Sequence, residues 1–168
     1  MKTKLSLLAA LAPALALAQS APAPQAPAMP DVSQHTMVMA KDIKWAEGPP
    51  ALPKGAQMTV LSGDPGKPGP FAIRIKAPPG YKVPRHWHPA DEQVTIISGD
   101  FHLSMGASGS AHGADFGAGD YANLPAQMQH EASTTGGAIV QVNSTGPFEI
   151  TYVDAKDDPR NAMPKAKS

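Results

Sequence analysis

Within the stretch RHWHPADEQVTIISG, residues 85–99, two histidines flank a tryptophan, and a glutamate follows four positions after the second. Imidazole and carboxylate at such spacing are the ingredients of a transition-metal site. In an extended strand alternate side chains share a face, so His86 and His88 project together and Trp87 projects to the other side. Pro89 and Asp91 favour a turn. If the chain then runs back as EQVTIISG, Glu92 can reach the same ion, with Val94 and Ile96 on its face lining the interior below. A further ligand must come from elsewhere, and His130 in LPAQMQHEAS is the natural candidate. Three nitrogens and one carboxylate oxygen leave one or two open positions on a five- or six-coordinate ion, which is what catalysis needs; structural zinc is typically closed and tetrahedral. The bland alternative is a solvent-facing polar hairpin that holds no metal.

Strands must position these residues. The middle of the chain is written in short apolar runs such as FAIRIKAPPG, EQVTIISGD, FHLSMG and AIVQVN, broken by Gly and Pro. Phe71, Ile73 and Ile75 share one side of a run, as do Phe148, Ile150 and Tyr152. Runs of this length with turn signals between them predict an all-β sandwich or barrel. No amphipathic helical stretch and no fixed-period repeat is visible. The Gly-rich segment 106–119, GASGSAHGADFGAG, lacks the Gly-Lys-Ser/Thr ending of a phosphate-binding loop and the Gly-x-Ser-x-Gly of a hydrolase elbow, so it is read as a hairpin connection. HTMVMAKDIKW alternates like an edge strand that could extend the sheet or exchange with a second copy.

The ends read differently. MKTKLSLLAALAPALALAQS has a basic start, an apolar run and a small-x-small site at Ala16-Leu17-Ala18, the pattern of a secretory signal occupying residues 1–18. Its apolar run is shorter than the roughly 20 residues that span a bilayer, so no membrane association is expected after cleavage. Residues 19–35 are a Pro- and Ala-rich flexible leader, residues 36–153 form one domain, and residues 154–168 are a polar tail. The expected location is the periplasm or the exterior. Acidic and basic residues number 14 each, and losing Lys2 and Lys4 with the signal leaves 12 basic against 14 acidic. No basic patch suggests nucleic acid. Cys 0 excludes disulfides, thiolate nucleophiles and thiolate ligands.

The sequence here resembles the cupin superfamily. Gly80, His86, His88, Glu92 and Gly99 fit its first motif, G-x5-H-x-H-x3-E-x6-G, at every fixed position. The second motif, G-x5-P-x-G-x2-H-x3-N, is met at Gly119, Pro125 and His130, but Gln127 stands where the family has Gly, and Thr134 where it has Asn. The resemblance implies an antiparallel double-stranded β-helix, the cupin jelly-roll barrel, with a metal at its mouth held by His86, His88, Glu92 and His130. It also implies that the chain could pair as a homodimer. Family membership does not decide the reaction, because cupins host oxygenases, isomerases, lyases, decarboxylases and binding proteins.

Several residues are candidates for the walls of a substrate pocket. Val94, Ile96 and Val142 make an apolar side, Met128 shares a face with His130 if the strand is regular, and Tyr121 offers a hydroxyl. Arg74, Gln57, Gln93 and Gln141 are possible polar contacts, although Arg74 opposes Phe71, Ile73 and Ile75, and bulky apolar residues more often take the interior. His35 and His112 are read as solvated, His102 as structural, and Trp87 as packing on the outer face. The function expected is a metal-dependent oxidoreductase, dioxygenase-like, acting on a small organic molecule. Glu92 is its candidate proton acceptor, and iron or manganese suits it better than nickel, copper or zinc. A non-redox lyase or isomerase on the same centre is the alternative, and a non-catalytic binder of a small molecule or metal is another.

Overall fold

The computed structural model describes residues 35–108 and 112–162. The predicted signal and all but the last residue of the leader lie outside the described residues. The fold is all-β, as expected. Eleven strands follow in chain order: β1 (Ala46–Glu47), β2 (Gln57–Ser62), β3 (Gly69–Ala77), β4 (Lys82–Trp87), β5 (Glu92–Gly99), β6 (Phe101–Met105), β7 (His112–Phe116), β8 (Tyr121–Leu124), β9 (His130–Ser133), β10 (Ala138–Gly146) and β11 (Thr151–Tyr152). They form two antiparallel sheets, ordered β1-β2-β3-β10-β5-β8 and β11-β4-β9-β6-β7, in the manner of a jelly roll. Consecutive strands such as β3 and β4, or β4 and β5, fall in different sheets, so the chain winds around a common interior.

Alternation explains which side chains fill that interior. Phe71 and Ile73 of β3, Val94 and Ile96 of β5, Leu103 of β6 and Val142 of β10 are each at most 4% exposed and form one cluster between the sheets. Their neighbours in sequence face out; Arg74, for example, donates from Nε to Gln141 Oε1 on the outer surface of the six-stranded sheet at 3.1 Å. His102 also faces outward, 2.7 Å from Asp115. Gly99 ends β5 with φ +87, and a Cβ there would stand 2.0 Å from the Gly137 carbonyl oxygen, so only glycine fits the motif position. Asp100 then caps the turn before β10, accepting from the Thr135 and Gly136 N–H groups at 2.7 Å each.

One expectation about a segment is corrected. HTMVMAKDIKW is not an edge strand: it holds a 3-10 turn at Ala40–Asp42, and Met37, Val38 and Met39 are exposed. Alternation without a face to bury stabilises no strand, and only Ala46–Glu47 pairs with β2. The Gly-rich connection is a hairpin, but its second arm is β7, which pairs along its length with β6 and places His112 in an exposed strand position. Beyond β11 the chain remains folded through 3-10 turns at Ala155–Asp157 and Pro159–Ala162, held by a hydrogen bond from Arg160 Nη2 to the Ile150 carbonyl. No helix among the described residues is long and apolar enough to cross a membrane.

Candidate metal centre

Simple alternation would spoil the site. Val83 faces inward and pairs with Ala132, yet His86, three residues later, pairs with His130, only two residues before Ala132. The extra residue is a β-bulge at Pro84–Arg85. A proline has no N–H to give a ladder, so it suits such a position. The bulge shifts the facing by one, turning His86 and His88 inward. Arg85 is thereby turned away from the interior, where Nη2 donates to Ser104 Oγ at 3.2 Å and Nη1 to the Gly106 carbonyl.

One ring nitrogen from each of His86, His88 and His130 lies within 4.8 Å of the others. All three residues are buried, at 4%, 6% and 3% exposure. His86 and His130 face each other across β4 and β9 with ring centroids 4.2 Å apart. In each ring Nδ1 is bound to a main-chain carbonyl: Pro84 for His86 at 2.7 Å, Glu149 for His88 at 2.7 Å and Met128 for His130 at 2.9 Å. A carbonyl oxygen can only accept, so every Nδ1 carries the proton and donates. With Nδ1 holding the proton, the neutral form of each ring would turn an Nε2 lone pair inward, which is how a metal-ligating histidine is oriented.

Glu92 arrives from the other sheet. β5 does not pair with β4; the chain crosses at PAD, and the carboxylate approaches from across the interior. Its Oε2 lies 3.2 Å from His130 Nε2 and 3.6 Å from His88 Nε2. A carboxylate oxygen beside an Nε2 lone pair sets acceptor against acceptor, and only a cation between them, a proton or a metal ion, reconciles the two. Ligands at right angles on an ion, each ~2.1 Å away, stand about 3 Å apart, so these separations suit neighbouring donors. The donor set of imidazoles and a carboxylate thus fits a borderline divalent metal.

Protonation states agree with that use. Burial pushes the His86 imidazole down to about 3, with the adjacent His130 and His88 rings adding to the effect. His88 is lowered too, chiefly by burial. Burial alone would raise the Glu92 carboxyl, but the imidazoles of His130, His88 and His86 packed around it outweigh burial and hold the pKa below its usual value. Neutral imidazoles beside an ionised carboxylate are the ligating forms.

The cluster borders a cavity of about 460 Å³ between the sheets. Val94 and Val142 line it. Ile96 shares their face but sits in the core outside the lining. Tyr121 is corrected: it is 55% exposed on the outer face of β8, because Ala122 and Leu124 take the inward positions. Met128 is corrected as well. It lies in the turn before β9, where strand alternation does not apply, and it contributes its carbonyl to His130 rather than a side chain to the cavity. Phe148 is a neighbour the motif spacing does not reveal. Its ring stacks on His88 at 4.2 Å between centroids and 14° between planes, so the loop before β11 holds that imidazole by both its face and its Nδ1. The shared side of Phe148, Ile150 and Tyr152 was the available signal. Gln127, at the Gly position of the second motif, adopts φ 64 and donates its N–H to the His88 carbonyl at 2.8 Å, so the turn keeps the shape that glycine would give it.

Residues 33–149 match the family described as the ChrR Cupin-like domain. The fold is similar to that of the polyketide cyclase RemF from Streptomyces resistomycificus, at 19% identity and TM-score 0.61, covering 78% of this chain and 95% of that one. It is also similar to KdgF from Halomonas sp., at 16% identity and TM-score 0.54, covering 67% and 96%. Oxalate decarboxylase from Lactobacillus farciminis is similar at 19% identity and TM-score 0.50, but the match covers 71% of this chain and only 36% of that longer one. No curated protein matches in sequence. With the three motif histidines, the glutamate and the two-sheet barrel in place, and a family match over most of its length, the chain belongs to the ChrR cupin-like family of the cupin superfamily.

Proposed function

We propose that the protein is a metal-dependent enzyme that carries out dioxygenase-like oxidation of a small organic molecule. The observation that carries this reading is the convergence of three Nε2 lone pairs, each fixed by a carbonyl behind it, beside an ionised carboxylate and an apolar cavity. His86, His88, His130 and Glu92 would hold the ion. When bound, a divalent ion such as iron or manganese supplies a Lewis-acidic and redox-active centre with open positions. The protein's own groups do the rest. The carbonyls of Pro84, Met128 and Glu149 orient the imidazoles, the apolar walls exclude water, and the Glu92 carboxylate is placed to take a proton from a bound molecule at Oε2. Tyr81 and Tyr152 are not rival bases: their hydroxyls donate to the Pro53 and Ala51 carbonyls at 2.7 and 2.8 Å, and burial raises both, Tyr152 to about 12.

Metal analysis of the purified protein, followed by turnover assays in air and under strict anaerobiosis, tests the proposal. Iron or manganese at about one ion per chain with oxygen-dependent turnover is expected. Turnover that persists without oxygen would replace oxidation by lyase or isomerase chemistry, with Glu92 as the base. Metal binding with no turnover in either condition would make the protein a binder. Export belongs to the same proposal and is supported by the pattern of residues 1–18. A mature chain starting at Gln19 in the periplasmic fraction is the expected result, and an uncleaved cytosolic chain would overturn it.

A further inference from the structure

The cavity does not end at the histidines. From His130 the inward face of β9 continues through Ala132 to Thr134, four residues of extended chain and so roughly 13 Å. Across from it lie Ile75 and Ala77 of β3 and Val140 of β10, with Val83 of β4 beside them. The few hydroxyls along this depth are committed or turned away. Tyr81 donates to the Pro53 carbonyl, and Thr134 Oγ1 accepts from the Gly137 N–H at 2.9 Å. Ser133 pairs in register with outward-facing His102. The other charged residues of the lining, Glu149 and Arg160, are exposed.

From this arrangement we infer that the cavity binds an elongated, largely apolar small molecule with one oxygen-bearing end, the apolar body lying between Ala77, Val83, Ala132 and Val140. Placing the oxygen-bearing end at His86, His88, His130 and Glu92 rests on the proposed metal site. A volume of about 460 Å³ lies within the range of roughly 300–1,000 Å³ typical of small-molecule sites. An apolar chain filling that space would remove its own surface and that of the apolar walls from water. A sugar acid or short dicarboxylate would instead bury hydroxyl or carboxyl groups against walls that offer them no partner.

The test is calorimetric titration of the metal-loaded full chain with straight-chain monocarboxylates from butanoate to decanoate, and with gluconate as a polar acid of similar size to decanoate. Affinity should rise at least about ten-fold from butanoate to decanoate, with gluconate no tighter than butanoate. Ala132→Leu, or Ala77→Leu should the first fail to fold by circular dichroism, should cut the decanoate-to-butanoate ratio to about three-fold or less by filling the apolar space beyond the histidines. A flat series, gluconate binding as tightly as decanoate, or an unchanged ratio in both folded variants overturns the inference. Metal content of the same samples keeps the two proposals apart. A flat series in metal-loaded protein refutes the apolar inference alone, whereas a steep series in protein that takes up no metal supports it and removes the metal reading.

Discussion

His86, His88 and His130 share one device at the scale of the residue: a main-chain carbonyl behind Nδ1 that selects the tautomer and aims Nε2. Removing one ring should therefore leave too few donors while the barrel persists. We expect His86→Ala or His88→Ala to lose essentially all bound metal with a far-ultraviolet spectrum like the parent's; full metal content in either would refute the site. Glu92→Gln keeps the shape but not the charge, and a drop of about ten-fold or more in metal affinity is expected from competitive chelator titration. The same residues set a pH dependence. His86 is held down to about 3, and His88 is lowered, against an ordinary histidine value of 6.5. The unfolded chain therefore binds more protons than the folded one as pH falls below 6.5. Glu92, also lowered, acts in the same direction below its ordinary value of 4.5. The metal-free protein should be most stable above pH 6.5 and lose thermal stability steadily toward pH 4. A melting temperature that is flat or rising on acidification would contradict these assignments.

Between single residues and the barrel, elements decide where the ligands point. The bulge at Pro84–Arg85 separates Val83 from His86 by one extra residue, and without it the strand that begins with Val83 inward would show its histidines to solvent. The turn between β8 and β9 is a second positioning element. Gln127 occupies a left-handed conformation there at φ 64, which costs a residue with a Cβ roughly 1–2 kcal/mol. Gln127→Gly should relieve that strain, offset in part by a more flexible unfolded chain, and stabilise the protein by about 0.5–1 kcal/mol in denaturant titration with unchanged metal content. A loss of stability would mean that the glutamine side chain contributes contacts greater than the strain.

For the whole molecule, the two sheets do double work: their facing residues form the core, and some of the same residues wall the cavity. Ile96 and Val94 separate these roles. Both are buried on one face of β5, but only Val94 borders the cavity. Ile96→Ala should cost about 2–5 kcal/mol of stability while leaving metal content intact, as a core truncation does. If metal were lost in the folded variant, core and site would be coupled more tightly than the geometry indicates.

Much of this protein is legible in its one-dimensional order, because periodicity and motif spacing are local properties. Short apolar runs at period two predicted an all-β barrel, and His86, His88, Glu92 and His130 were identifiable from residue type and from the two cupin-like motifs. What stayed hidden depends on relations that sequence spacing does not encode. Tyr121 and Met128 were assigned to the pocket by alternation, and the structure places one on the outer face and the other in a turn, because register and strand ends arise from pairing with β5 and β6. The edge strand expected before Ala46 failed for want of a surface to pair with. Phe148 came to His88 only because the loop after β10 returns across the mouth, 60 residues further along the chain. Composition and spacing by themselves determined which candidate ligands the chain offers and that strands would carry them. The tertiary structure alone decided how those ligands face one another and how deep and apolar the space beyond them is, since both follow from two sheets closing on a common interior.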